Sequence, residues 1–435
     1  MKKSYLTLFI IITGFITSSS QTLLPVGAGI PSSYGMYCGT VVFNNEIYAA
    51  EPSKIFKWDG TSWVNIGISV DYAIICMQVY NSELYVAGWF TTFNGSSVNR
   101  IVKYDGLTWQ PVGTGVLVNG GDVGGVEKMT VYNGELILLG GFIQAGSLLA
   151  NKIARWDGSN FNLLGNGFPG AQVASTPSML VYNSDLYVFS QLDTAGTIPV
   201  SNAAKWDGAN WSGVGAGLNQ WPIASTVHDS SIYVGVNTSD TTSMVKKWTG
   251  SNWVNVGTSS FDFSWNLVAD LKSYNGCLYA TGYFDTIGAV AAKNIARFDG
   301  VNWNAVDNGV DGMGQFFVEY DSALYMTGDF ITAGTLTMNN VVVLDSPPTC
   351  IPLSIDEDLK LNSFVVFPNP TNGLLQIKTE REIISLEVLD VFGRRIFYSE
   401  NNQTEINISD FENGIYFVRL SDSKKNSITK KIIKN

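Results

Sequence analysis

A chain of 435 residues with 26 Lys and Arg against 37 Asp and Glu carries a net charge of -11 and has room for more than one domain. Ten basic and nine acidic residues lie from Ser363 onward, so the acidic excess belongs to the region before it and disfavours nucleic acid as a partner. With 44 Gly, 12% aromatic and only 14% charged residues, the composition suits a sheet-rich fold with many tight turns.

Residues 1–20 read as a signal peptide. Lys2 and Lys3 precede an apolar run from Tyr5 to Ile16, and Ser18-Ser19-Ser20 offers small residues before a cut at Gln21. The run is too short for a membrane anchor, and no other transmembrane candidate follows in the mature chain.

From there two signals alternate. The first is an aromatic, Asn or Asp, one or two small or polar residues, then Leu or Ile, starting at Phe43, Tyr80, Tyr132, Tyr182, His228, Tyr274 and Tyr320. The second is an aromatic with Asp-Gly and a further aromatic, as in Trp58-Asp59-Gly60…Trp63, Tyr104…Trp109, Trp156…Phe161, Trp206…Trp211, Trp248…Trp253 and Phe298…Trp303. Successive spacings of the first signal are 37, 52, 50, 46, 46 and 46 residues, the period of blade-type repeats. Asn-Ser and Asn-Gly predict hairpin turns between two inner strands, a polar Gly-x-Phe-x-x-x-Gly loop follows, and Asp-Gly joins two outer strands. Leu23-Leu-Pro-Val26-Gly27 matches the outer-strand pattern with no inner strands before it, whereas the unit from Phe316 to Asp345 stops one strand short. The expectation is an all-β, seven-bladed β-propeller over residues 21–345, closed by its N-terminal strand.

The residues of this region resemble kelch-like propellers, with a Gly-containing second strand, a Tyr or Trp ending the third and a Trp opening the fourth. That resemblance invites a galactose-oxidase type of copper chemistry, which needs two histidines where this chain has only His228. Arg100, Arg155 and Arg297 lie on corresponding third strands and so do not form a sialidase triad. No cofactor is expected.

A linker over residues 346–362, with Pro347-Pro348 and Asp356-Glu357-Asp358, leads to a small C-terminal Ig-like β-sandwich over residues 363–435. Its Phe367-Pro-Asn-Pro-Thr-Asn-Gly373, Leu389-Asp-Val-Phe-Gly-Arg394, Gly414-Ile-Tyr416 and Lys431-Ile-Ile-Lys434 resemble the C-terminal sorting domain of type IX secretion substrates. The motif positions are Pro368, Asn369, Pro370, Asn372, Gly373, Gly393, Gly414, Tyr416, Lys431 and Lys434. The resemblance implies the type IX secretion machinery as a partner and a protein that is secreted or held on the outer surface of a Gram-negative cell.

Four cysteines in an exported chain predict two disulfides, Cys38–Cys76 and Cys277–Cys350. The repeat residues read as scaffold, and the variable loops from outer to next inner strand as the place for binding. Tyr34, Tyr72, Asp122, Trp221, Asp262, Trp265 and Asp311 are the candidate ligand residues there, because aromatic platforms beside carboxylates suit a sugar ring. The leading expectation is a monomeric, non-catalytic binding module for a glycan or a surface protein. Its alternatives are a polysaccharide hydrolase or lyase using Asp122, Glu127, Asp262 or Asp311, and a structural adhesion component.

Overall fold

The aromatic-Asn signal becomes a hairpin because both of its central residues take left-handed backbone. At Asn44-Asn45, Asn81-Ser82, Asn133-Gly134, Asn183-Ser184, Asp229-Ser230, Asn275-Gly276 and Asp321-Ser322, φ runs from 48° to 76°. That is the type I′ turn, whose twist matches that of paired strands. The Asp-Gly signal turns the chain by another means. Asp59 accepts the Thr61 and Ser62 amides, both at 2.8 Å, and Asp105, Asp157, Asp207 and Asp299 repeat the arrangement. These amides hold the Asp105, Asp157 and Asp207 carboxyls below the ordinary carboxylate range.

The computed structural model describes residues 21–32, 38–119, 124–171, 173, 177–239, 242–260, 266–345, 348–350, 365–378, 385–390, 394–400, 403–421 and 427–435. The expected signal peptide and most of the expected linker fall outside them. The chain divides into two compact units, 1–353 and 354–435.

In the first unit, each pair of turns builds one antiparallel sheet in chain order. Sheet one is Gly39–Phe43, Glu46–Ala50, Ile55–Trp58 and Trp63–Asn65. The first strands of sheets two to seven are Ile74–Tyr80, Val126–Tyr132, Ser178–Tyr182, Trp221–His228, Leu267–Tyr274 and Met313–Tyr320. Sheet seven takes its outer strand from Thr22–Pro25, which pairs antiparallel with Val341–Asp345 and sets Leu23 opposite Leu344.

Side chains of the two signals join consecutive sheets in both directions. Tyr80 donates its hydroxyl to the Gly134 carbonyl at 3.0 Å, Tyr182 to Ser230 at 2.7 Å, and Tyr274 to Ser322. Each acceptor is the second residue of the next sheet's turn. Tyr320 makes the same bond to Asn45 at 3.0 Å, and Thr40 and Thr327 share a 2.7 Å bond, so sheet seven lies beside sheet one. Backward bonds run from the Trp211, Trp253 and Trp303 indoles to the Leu164, Val214 and Val256 carbonyls at 3.0, 3.3 and 2.8 Å. A glycine follows each acceptor where a tryptophan ring packs: a Cβ would meet Trp206 at 3.1 Å on Gly165, Trp248 at 2.7 Å on Gly215 and Trp303 Nε1 at 2.3 Å on Gly257.

Two features go beyond the sequence reading. The Gly-x-Phe-x-x-x-Gly loops are miniature ribbons, such as Thr92–Phe93 with Ser96–Ser97 and Thr332–Ala333 with Leu336–Thr337. The recurring basic residue of the third strand also holds an ion pair inside its own sheet, at Lys57–Glu46, Lys103–Glu83, Arg155–Glu135 and Lys205–Asp185 with separations of 3.0, 2.9, 2.9 and 2.6 Å. In sheet five Ser231 stands in the acid's place, and Lys247 lies over the Tyr233 ring at 5.8 Å.

In sheet six the same place is taken by Cys277, which is disulfide-bonded to Cys350 with Cα atoms 4.9 Å apart. The Cys350 amide donates to the Asn275 carbonyl at 2.9 Å. A Cβ on Gly276 would meet the Cys350 carbonyl at 2.1 Å, so the turn needs glycine there. Residues 348–350, expected in the linker, are therefore bound to the sheets. The expected Cys38–Cys76 bridge is corrected: both thiols are free. Cys38 packs into the core between sheets one and two, whereas Cys76 packs between sheets two and three with its thiol 3.8 Å from the Val126 carbonyl.

The second unit has a three-stranded sheet, Val365–Phe367, Leu374–Lys378 and Glu405–Asn407, and a four-stranded one built on Ser385–Leu389 and Gly414–Ser421. Leu375, Ile377, Leu386, Val388, Ile406, Val418 and Ile432 form its core.

If the backward indole bonds matter to stability, Trp303→Phe, which keeps an aromatic ring but loses the donor, should lower unfolding free energy by about 1 kcal/mol. Trp303→Ala should lower it by roughly 3–5 kcal/mol. Urea unfolding of both variants checks this, and a Trp303→Phe variant as stable as the native protein would assign the whole effect to packing.

Candidate functional site

First strands begin, and second strands finish, at one end of each sheet, and Tyr72, Trp221 and Asp311 lie at that end. Tyr72 precedes the first strand of sheet two, Trp221 opens that of sheet five, and Asp311 precedes that of sheet seven. Tyr34, Asp122, Asp262 and Trp265 lie outside the described residues.

Tyr72 is 53% exposed and Trp221 61% exposed, so neither ring plugs a core. Phe168, by contrast, is fully buried against Trp211. Asp311 serves as a turn cap, its carboxylate accepting the Ile331 and Thr332 amides at 2.8 Å each. Partial burial opposes ionisation, yet these bonds hold its carboxyl below the ordinary range. Asp71 caps the Thr91 and Thr92 amides in sheet two in the same way. Both acids support the base of a ribbon.

Sheet two holds the most developed cluster. The first strands of sheets two, three, five, six and seven each carry a β-bulge near their start, at Ile75, Glu127, Ile223, Ala269 and Gln315. A bulge re-aims the side chain it carries. At Glu127 the re-aimed carboxylate crosses to sheet two and accepts the Trp89 indole N–H at 2.6 Å. Trp89 lies half-buried with its ring 6.0 Å from that of exposed Tyr72, at 32°. Nearby, Arg100 donates from Nε to the Gly124 carbonyl at 2.9 Å.

Glu127 is 7% exposed, and among the described residues its second oxygen, Oε2, has no hydrogen-bond partner. Burial pushes its carboxyl up to about 7, against the opposing pull of the indole bond. Trp89 escapes the sequence reading, although a signal exists: it occupies the position held by Gly141, Gln191, Tyr283 and Asp329 in other sheets. The arrangement is an aromatic pair open to solvent, its inner ring fixed in place by a carboxylate.

The three arginines have separate surroundings, with Arg155 on Glu135 and Arg100 on a backbone carbonyl. His228 is buried, with Nδ1 2.9 Å from the Ser273 hydroxyl and its ring edge toward Tyr233. Among the described residues no cluster of three or more His, Cys, Asp or Glu side chains is placed to hold a metal ion.

In the C-terminal unit the motif residues brace the final strand. Asn369 accepts the Ile433 amide at 2.8 Å and donates to the Lys431 carbonyl at 3.0 Å. Tyr416 donates to the Glu412 carbonyl at 2.8 Å, and Lys434 to the Asn413 side chain at 3.4 Å. Gly393 lies outside the described residues.

The Glu127 carboxyl gives a pH signature. A carboxyl raised from about 4.5 to about 7 favours the folded state while protonated, and that contribution is lost as pH rises between those values. Relative to Glu127→Gln, the native protein should lose on the order of 3 kcal/mol between pH 4 and pH 8. Parallel stability curves for the two proteins would show that Glu127 does not titrate in this range.

Residues 82–106 match a β-propeller family described as a domain of unknown function, DUF5122. An endo-acting ulvan lyase of Formosa agariphila is 38% identical over 87 residues, 19% of this chain and 17% of that protein. Among solved structures, PorZ, an essential surface component of the type-IX secretion system of Porphyromonas gingivalis, superposes with a TM-score of 0.46 at 14% identity, covering 93% of this chain and 61% of PorZ. The extracellular domain of the putative hybrid two-component system BT4673 of B. thetaiotaomicron gives 0.48 at 10% identity, covering 96% and 59%. The chain thus spans under a fifth of the lyase and about three-fifths of either solved structure. Among the described residues no helix is long and apolar enough to cross a membrane. Residues 365–435 match the secretion system C-terminal sorting domain, which makes this an all-β protein with a propeller region that is secreted or displayed on the outer cell surface.

Proposed function

We propose that the first unit is a kelch-like, seven-bladed propeller closed by its N-terminal strand, and that it acts as a non-catalytic, carbohydrate-binding module on the secreted or surface-held protein. The observation that carries the binding reading is the Tyr72–Trp89 pair, two solvent-facing rings of which the inner is oriented by Glu127 through a 2.6 Å bond. Aromatic faces stack on the apolar face of a sugar ring, and an anchor fixed before binding loses little conformational entropy on binding. Trp221, exposed on sheet five, offers a further contact for an extended chain of sugars. The seven-blade reading is supported by the succession of seven hairpin-built sheets and by the pairing of Thr22–Pro25 with the last of them.

A hydrolytic role is less well supported. Glycoside hydrolysis ordinarily needs two carboxyl groups flanking one bond. Of the candidates in the described residues, Asp311 is committed to two backbone amides and Glu127 to the Trp89 indole. The sorting domain adds the secretion machinery as a partner.

A glycan array probed with residues 21–435, run beside a hydrolysis and lyase assay on the same sugars, tests the proposal. Binding without turnover is expected. Tyr72→Ala and Trp221→Ala should each weaken binding by about 1–3 kcal/mol with thermal unfolding unchanged, as for exposed anchors. Turnover would move the reading to an enzyme, and early unfolding of both variants with binding intact would make these rings structural.

A further inference from the structure

A groove of about 620 Å³ lies where sheet seven meets sheet one, at the chain segment that leaves the N-terminal strand. Its size falls within the range of small-ligand sites. It borders the connection Ala28–Ser32, the outer turn of sheet one at Thr61 and Ser62, and the loop of sheet seven that carries Asp329, Ile331, Asn339 and Asn340. Asp329 occupies in sheet seven the place of Trp89 in sheet two, each following a strand-end glycine.

The lining is rich in acceptors, beside the Trp63 indole N–H, which has no partner among the described residues. Asn339 and Asn340 donate from their side chains to the Ala28 and Ile30 carbonyls at 2.9 and 3.1 Å, so amide donors go to the chain bordering the groove. The Thr61 and Ser62 hydroxyls donate to the Asp59 carboxylate at 2.8 and 3.1 Å, leaving their lone pairs free to accept. Asp329 is exposed, and among the described residues nothing donates to its carboxylate. Among the described residues no Lys, Arg or His lines the groove. Two apolar surfaces, Pro31 and Ile331, stand open beside these acceptors, with Ile331 62% exposed.

We infer that this groove is a second binding site, selective for a neutral, hydroxyl-rich sugar unit. Sugar hydroxyls donate to the Asp329 carboxylate and the neighbouring oxygen lone pairs, while Ile331 and Pro31 cover the C–H face of the ring. A carboxylated or sulfated sugar is rejected, because it brings negative charge against Asp329 where no cation offsets it. The site is separate from the Tyr72–Trp89 pair and does not rest on it. It also spans the two segments that meet where the N-terminal strand joins sheet seven, so an occupant holds that junction together.

The test is calorimetric titration of residues 21–435 with cellohexaose, laminarihexaose and mannohexaose, and with tri-galacturonic acid as the acidic comparator. At least one neutral oligosaccharide should bind, and the acidic one should not compete with it. Asp329→Ala and Ile331→Ala should each weaken that binding by roughly tenfold or more, a loss typical of an anchor at a binding centre. Leu107→Ala, at an exposed position in the outer turn of sheet two, should leave this site's affinity unchanged. Circular dichroism melting of the variants checks that each is folded, and Asp329→Asn supplies a second, isosteric variant at that position. Neutral-sugar binding that survives both Asp329 variants and Ile331→Ala, binding lost only in Tyr72→Ala, preferential uptake of the acidic sugar, or binding of none of the neutral probes would each overturn the inference.

Discussion

The fold depends on the left-handed pair at each inner turn. Two consecutive residues at positive φ cost little when they are Asn, Asp, Ser or Gly in a tight turn, and they fix the hairpin twist. The same turn leaves its second carbonyl free of the ladder, and in four sheets the preceding sheet's tyrosine fills that vacancy. One local conformational choice therefore sets both the shape of a sheet and its attachment to its neighbour. The indole bonds running the other way add a second contact at the outer strands. A scaffold joined by recurring residues at turns and rims leaves the loops at the opposite end free to vary.

Much of this was readable from residues alone, because turn chemistry is local. Asn-Ser, Asn-Gly and Asp-Gly each specify a backbone geometry within two or three positions, and the spacing of such signals reports the repeat. What escaped the sequence depends on partners that proximity in the chain does not reveal. The acid that pairs with each third-strand base lies 11 residues upstream at Lys57–Glu46 and 20 at Lys103–Glu83, because the intervening loop changes length. In sheet seven both are missing, with Ala323 in the acid's place and Val343 in the base's, which is the clue that the two positions go together. The Cys38–Cys76 expectation failed for a related reason: matching places on adjacent strands do not make two side chains face each other.

At the candidate site Tyr72 was legible, whereas Trp89 and the bond that holds it to Glu127 were not. Tyr72 and Trp221 stand out as large rings outside the repeat, and both are exposed. Glu127 could be named as an acid, but its role comes from a bulge and from an indole 38 positions earlier. Asp311 shows the converse, since a loop carboxylate that looks available is engaged by two backbone amides. Burial, a bulge and a turn cap thus give Glu127 and Asp311 different physical roles, while Asp122 and Asp262 lie outside the described residues.

The central claim is that ligand sits on the Tyr72–Trp89 pair with Glu127 behind it. Amide hydrogen exchange of residues 21–435, free and saturated with a bound oligosaccharide, tests it most directly. The account predicts slowed exchange in the backbone around Tyr72, Trp89 and Glu127, with the tyrosine-bonded inner turns unchanged. Protection confined to other sheets, with those three segments exchanging as in the free protein, would contradict it.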